Sequence, residues 1–143
     1  MANQFRINNV VATVMANAFD DECNTDTPPA TIEIKTGSQP ATPDDAETGT
    51  VLAVLTMSNP AFGGAADATP GAILTANAIT DDSSADATGT AQHFVILTGT
   101  ADVHVASGTV GTSGADLNLN SVAITSGSAV AITSMTVTMR ETE

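Results

Sequence analysis

Beyond residue 30, apolar and polar residues alternate over most of the chain, and period two marks strands with one buried face. The clearest run is Thr31-Ile-Glu-Ile-Lys-Thr36, with Ile32 and Ile34 directed inward and Glu33 and Lys35 outward. Toward the C-terminus, Leu117 and Leu119 alternate with Asp116, Asn118 and Asn120, and Val122, Ile124, Val130 and Ile132 keep the rhythm. The next apolar positions are Met135, Val137 and Met139, so the phase flips from even to odd at Ser134-Met135. A one-residue slip turns every side chain over, and the flip therefore predicts a β-bulge or a bend near Ser134.

Two runs are apolar on both faces. Thr50-Val-Leu-Ala-Val-Leu-Thr-Met57 reads as a central strand covered on each side, stopped by Asn59-Pro60. The second half of Thr90-Ala-Gln-His-Phe-Val-Ile-Leu-Thr98 is similar. Gly99-Thr-Ala joins it to Asp102-Val-His-Val-Ala106, a hairpin with Val103 and Val105 inward and His104 outward. Ala72 to Thr80 reads as a further strand. The segment from Ala61 to Ala66 reads as irregular or as a short strand, anchored by Phe62. Asn24 to Ala30 is a linker, and a long polar loop with two prolines runs from Gly37 to Gly49.

One stretch carries a helical period. Phe5, Ile7, Val10, Val11, Val14, Met15, Ala18 and Phe19 form a stripe at 3.6-residue spacing, with Asn8, Asn9, Thr13 and Asn17 mostly opposite. The pattern predicts a helix from Phe5 to about Phe19, fraying near Asp20-Asp21, where acidic side chains oppose the helix dipole. Such a helix either plugs an edge or end of the sheet or serves as an arm that docks on a partner subunit. The expected organisation is an N-terminal helix or arm over residues 1–24 and a β domain over 25–143. The expected class is mainly β: an antiparallel β-sandwich, jelly-roll or Ig-like, with one N-terminal amphipathic helix.

Composition sharpens this. A chain of 143 residues is one domain by size. Four Phe with no Trp or Tyr leave the interior to Val, Ile, Leu, Ala and Met. Such a core makes thin layers and suits two close sheets better than a deep pocket. Sixteen acidic side chains against Arg6, Lys35 and Arg140 give a net charge of −13. Three cations make no basic stripe, so neither nucleic acid nor an anionic membrane is an expected partner. No run approaches the about 18 apolar residues of a membrane span, and the start lacks the pattern of a secretory signal. Cys23 stands alone, without an intramolecular disulfide partner, which fits synthesis in a reducing cytoplasm.

Candidate chemistry is sparse. Asp81, Asp82 and Asp86 offer oxygen ligands of the kind Ca²⁺ takes, without the spacing or terminal Glu of an EF-hand; an acidic turn in an acidic protein is the simpler reading. His93 and His104 lie on neighbouring strands, but no patterned third ligand accompanies them, so no metal is expected there. Cys23 sits among Asp20, Asp21, Glu22 and Asp26, which disfavour its thiolate. Neither a serine nucleophile elbow nor a phosphate-cradling loop with lysine is present in the sequence. No catalytic residue or cofactor is assigned, and enzymatic activity is not expected.

Three motifs carry a resemblance: Ser58-Asn-Pro-Ala-Phe-Gly63, Thr75-Ala-Asn-Ala-Ile-Thr80 running into Asp82-Ser-Ser-Ala-Asp-Ala-Thr-Gly89, and Gly108-Thr-Val-Gly-Thr-Ser-Gly-Ala-Asp-Leu-Asn-Leu-Asn120. Together they resemble a family of small virion-associated proteins of tailed bacteriophages, and the likeness spans nearly the whole chain. The chain departs at Gln92-His93-Phe94-Val95, where the family often shows another aromatic and an arginine. The resemblance implies a structural protein of the particle, made in the bacterial cytoplasm and located in the virion. A −13 chain is repelled by packaged DNA, which favours the outer head surface and the role of a decoration or cement protein. The implied partners are the major capsid protein and the chain itself, as a homotrimer or other homo-oligomer. The expected contact residues are Phe5, Ile7, Val11 and Val14 on the helix and Met135, Val137 and Met139 at the C-terminus. A tail, neck or fibre component is the alternative, as is a virion-surface glycan- or receptor-binding module. Against the last stands the lack of Trp and Tyr as stacking platforms.

Overall fold

The computed structural model describes residues 5–42, 44–100 and 103–141. A helix, α1 (Asn9–Cys23), precedes β1 (Thr31–Lys35), β2 (Val51–Met57), β3 (Ala66–Ala68), β4 (Gly71–Thr75) and β5 (Ile79–Thr80). Then follow β6 (Gly89–Thr90), β7 (His93–Leu97), β8 (His104–Gly111), β9 (Leu117–Asn118), β10 (Ala123–Ile124) and β11 (Thr136–Arg140). Over the described residues the protein is mainly β with one helix.

Rows of side chains crossing the large sheet explain its two faces. Strand pairing aligns Leu55, Ile32, Ile96 and Ala106 in one row, and Ala53, Ile34, Phe94 and Gly108 in the next. These rows face the core, which also holds Ala72 and Leu74 of β4, Met135, and Ala12 and Ala16 of α1. Glycine at 108 is required by Phe94, because a Cβ there would lie 2.7 Å from the ring. The intervening rows place Val54, Glu33, Val95 and Ser107, then Val51, Lys35, His93 and Thr109, on the outer face. Residues 37–50 fold over that face. Gln39 Nε2 donates to Ser107 Oγ at 2.8 Å, and Gly37 N–H donates to Gln92 Oε1 at 2.7 Å. Lys35, outward by alternation, is consequently buried.

The large sheet runs β5-β2-β1-β7-β8-β9; a second sheet runs β11-β4-β3, and β10 pairs with β6. β2 is interior and β7–β8 is an antiparallel hairpin, as their patterns predict. The sheet is not purely antiparallel, however: β8 and β9 pair in parallel. A parallel return ordinarily needs a crossover of about a dozen residues, yet residues 112–116 suffice here. Asp116 staples the loop. Its Oδ2 accepts from Thr109 N–H and Thr109 Oγ1–H, both at 2.8 Å, while its own N–H donates to Thr109 Oγ1 at 3.2 Å. Gly114, at φ 69°, supplies the left-handed turn.

Other elements depart from their patterns for identifiable reasons. The expected strand from Ala72 to Thr80 is two strands in two sheets. Between them Ala76 bridges Phe62, and Asn77 donates from N–H to Ala61 O at 2.9 Å and from Nδ2 to Pro60 O at 3.0 Å. Leu117, Leu119, Ile124, Val130 and Ile132 are buried, as alternation predicts, although β9 and β10 are only two residues each. No unbroken strand runs from 129 to 139. Val130 bridges Asp82, residues 131–135 leave the ladder, and β11 then pairs with β4. The phase flip marks this change of partner. Val103, expected inward, is exposed; Ala101 and Asp102 lie outside the described residues.

The Asp116 staple is testable by pH. The Thr109 amide, then its hydroxyl, holds the carboxyl below its ordinary value of 3.8. A carboxyl depressed by folding contributes stability above its unfolded value and loses that contribution as pH falls through the lowered native value. Asp116→Asn is expected to cost about 1 kcal/mol at neutral pH, discounted for the group's exposure. The loss should shrink as the pH is taken progressively below 3.8, as read by urea unfolding at neutral and acid pH.

Candidate functional site

Helix α1 starts later than its apolar stripe and ends later too. Asn8, in extended conformation, is the N-cap, and its Oδ1 accepts from Val11 N–H at 3.0 Å. The acidic end, expected to fray at Asp20-Asp21, continues to Cys23 because polar side chains fasten it. Asp20 Oδ1 accepts from Phe62 N–H at 3.0 Å and from Asn24 Nδ2 at 2.9 Å. Asn24 Oδ1 accepts from Ala61 N–H at 2.8 Å, and Asn17 Oδ1 from Ala65 N–H at 3.2 Å. Residues 17, 20 and 24 thus form a polar stripe that supplies the acceptors missing from the irregular segment after Pro60. Phe62 is buried beneath it, edge-on to Phe19 at 5.7 Å between centroids.

This seam sets the rotation of the helix. Small residues, Ala12 and Ala16, enter the core with Cys23, Phe19 packs against it, and Val10, Val11, Val14 and Met15 turn outward. Phe5 is 80% exposed, Val10 69%, Val14 62%, Met15 47% and Val11 43%. On a helix Val10/Val14 and Val11/Met15 are i, i+4 neighbours, so the four form one ridge. Ala18 extends the ridge, and exposed Asp21 and Glu22 continue it one turn later. Of the predicted stripe, Ile7 and Phe19 pack against the core, while Phe5, Val10, Val11, Val14, Met15 and Ala18 are exposed.

Of the expected contact residues, Val11 and Val14 lie on this ridge, and Phe5, ahead of the N-cap, is exposed. Ile7, Val137 and Met139 are half-buried against the core, and Met135 is buried, so it presents no surface to a partner. Val10 and Met15 belong to the exposed face although the contact set omits them. The i, i+3, i+7 spacing of Asn17, Asp20 and Asn24 is the sequence signal that marks a second, polar docking side.

A second cluster lies under the loop on the outer face. His93 is buried, with Nδ1 2.8 Å from Gly37 O and Nε2 3.3 Å from Glu47 Oε2. Both ring nitrogens face oxygen acceptors, so a doubly protonated ring donates to both and a neutral ring to one. His104 Nδ1 lies 3.4 Å from Glu47 Oε1, within ion-pair reach but not aligned as a hydrogen bond. The sequence places the two histidines on neighbouring strands; Glu47, the group between them, comes from the loop and has no patterned spacing. Among the described residues no three His, Cys, Asp or Glu side chains converge to hold a metal ion. The cluster acts as a latch holding residues 37–50 to the sheet.

The remaining candidates have structural duties. Asp82 Oδ2 accepts from Val54 N–H at 3.0 Å and Oδ1 from Ser84 N–H at 2.9 Å, which caps the edge of β2. Asp81 and Asp86 are exposed beside it. The Cys23 thiol is buried, and burial, with the charges of Asp20 and Glu22, pushes it up to about 12. A half-open cleft of about 230 Å³ between the sheets is lined mainly by Phe19, Phe94, Ile96, Met135 and Val137. No described helix is long and apolar enough to cross a membrane. Comparison with family models, curated proteins and solved structures gave no match.

Two outcomes follow from these contacts. Native Cys23 should resist a thiol reagent at neutral pH. Asp20→Ala, which strips the acceptor from Phe62 N–H and Asn24 Nδ2, should speed labelling and lower stability by about 2 kcal/mol. Glu47→Ala should leave the far-UV spectrum unchanged and open residues 37–50 to limited proteolysis several-fold faster, as followed by mass spectrometry of the cut sites.

Proposed function

We propose that this chain is an assembly protein that works by adhesion: a virion structural protein of the tailed-phage class its motifs resemble, acting as a decoration (cement) protein on the outer head surface. The observation that carries the reading is the outward apolar ridge of α1 on a firmly seamed helix. Burying a side chain such as Val14 or Phe5 is worth roughly 1.5–3 kcal/mol each. A monomer that holds several of them in water, on one ridge, is built to cover them on something else.

In this reading α1, with the partly buried Val137 and Met139 of the edge strand β11, meets the major capsid protein and neighbouring copies, as a trimer or other homo-oligomer. The acidic loops at 37–50 and 81–86 face solvent. Their charge keeps subunits apart until a specific surface is met and opposes approach to packaged DNA. We read the large sheet and the β11-β4-β3 sheet as the two layers of a β-sandwich, jelly-roll or Ig-like, with the shared core between them. The work is geometric and needs no bond-making group; the His93–Glu47–His104 cluster holds a loop.

Cryo-electron microscopy of particles carrying the chain tests this. The expected map places it on the outer head surface at positions set by capsomer symmetry, with α1 against a neighbouring subunit. Density confined to the tail, neck or fibres, or absent from the particle, would overturn the decoration role.

A further inference from the structure

The strands that end a sheet have main-chain groups without a ladder partner, and such edges invite another strand unless something blunts them. β5 and β9, at the two ends of the large sheet, are two residues each. β3 is three residues long, carries Asp67 and is soon followed by Pro70. β11 differs: its five residues keep unbroken register with β4 and include no proline and no carboxylate. Ala76 N–H donates to Met135 O and Glu141 N–H to Pro70 O, so odd-numbered residues here turn their N–H and C=O groups toward β4. Alternation turns those of Thr136, Thr138 and Arg140 the other way, where no described residue bonds to them. Ile7 N–H donates to Glu141 O at 3.1 Å, on the β4 side where Pro70 has no N–H, and this contact leaves the outer edge open.

We infer that β11 pairs with β11 of a second copy, antiparallel, about a two-fold axis at Thr138. The strand is complementary to itself in that register. All its outward residues find partners, Thr138 with Thr138 and Thr136 with Arg140, for about six main-chain hydrogen bonds. A shift by one step of the ladder leaves fewer within the strand. Val137 of each copy lies beside Met139 of the other. The rows Leu74–Val137 and Ala72–Met139 of one sheet then run on into Met139–Ala72 and Val137–Leu74 of the other copy, and two three-stranded sheets become one with a continuous apolar face. The interface is isologous, as a closed dimer requires.

Charge permits this occupant. The 16 acidic side chains hold two copies apart over much of the surface. β11 carries none of them, and the register sets Arg140 against Thr136, so no like charges are opposed. Side-chain packing favours it too. Val137 lines the half-open cleft with Phe94 and Ile96. Met139 of the second copy, on the same face of the joined sheet, arrives beside it and covers apolar surface that one chain leaves half-buried. One strand edge is smaller than the about 800 Å² per partner of a standard interface, so the pairing is reversible. The inference deepens the assembly reading by naming the contact between copies, and rests on it only for the premise that copies meet.

Sedimentation equilibrium of the full purified chain tests the pairing. The wild-type chain should form a reversible dimer. Thr138→Pro removes an outward N–H and leaves the bonds to β4 intact. It should weaken the dimer at least about tenfold, because the pair at the axis loses both its hydrogen bonds, with the circular dichroism and the protection of Cys23 unchanged. Thr138→Lys and Thr138→Glu should each weaken it about threefold or more, since position 138 meets itself. A one-to-one mixture of those two chains should recover most of that loss. A chain that stays monomeric at high concentration overturns the pairing and leaves the edge to another protein's strand. A dimer indifferent to both Thr138→Pro and Thr138→Lys overturns it as well, and assigns the contact to another surface such as α1. A dimer that the mixture fails to restore overturns the register. Because only the purified chain is used, a monomer defeats this pairing and leaves the particle role standing. A dimer from a chain that particles lack does the reverse.

Discussion

One carboxylate oxygen determines how the helix sits on the sheets. Asp20 Oδ1 takes the Phe62 amide and the Asn24 side-chain amide together, and Asn24 and Asn17 take the amides of Ala61 and Ala65. The segment after Pro60 is too irregular to pair in a ladder over its length, so its donors need acceptors from elsewhere. The helix supplies them along one line of side chains. Satisfying those donors dictates which way the helix is turned, and that rotation sends alanines inward and valines outward.

A core poor in aromatics makes this rotation affordable. Alanine at 12 and 16 lets the helix backbone come close to β4, and the interior is filled by rows of Ile, Leu and Ala with Phe94 laid over Gly108. Larger side chains at positions 12 and 16 would overpack such a core. Their place is outside. Exposure of Phe5, Val10, Val11, Val14 and Met15 is thus a consequence of packing as much as an adaptation for contact. An adhesive surface arises where the sheet cannot accept more volume.

Polar side chains do similar duty throughout the molecule. Asp116 closes a parallel return too short for an ordinary crossover, Asp82 caps the edge of β2 where β5 is only two residues long, and Glu47 draws the long loop to two histidines. Several carboxylates of this acidic chain are therefore backbone acceptors and latches, while the others keep the surface charged. The exposed ridge of α1 stands out against such a surface because the rest of it is so polar.

Alternation alone determined the mainly β class, the interior position of β2, the β7–β8 hairpin and the inward set Ile32, Ile34, Leu117, Leu119, Ile124, Val130 and Ile132, because period two records which face meets the core. The phase flip at Ser134-Met135 likewise marked where the chain changes partners. Pairing itself was not legible. The parallel step at β9, the division of residues 72–80 between two sheets and the meeting of Glu47 with His93 and His104 depend on residues far apart in the chain. The helix shows the limit best. Its spacing records an apolar stripe and polar positions, but not which side docks, and only the amides of residues 61, 62 and 65, brought near by the fold, decided that Asn17, Asp20 and Asn24 form the seam while Ala12 and Ala16 enter the core.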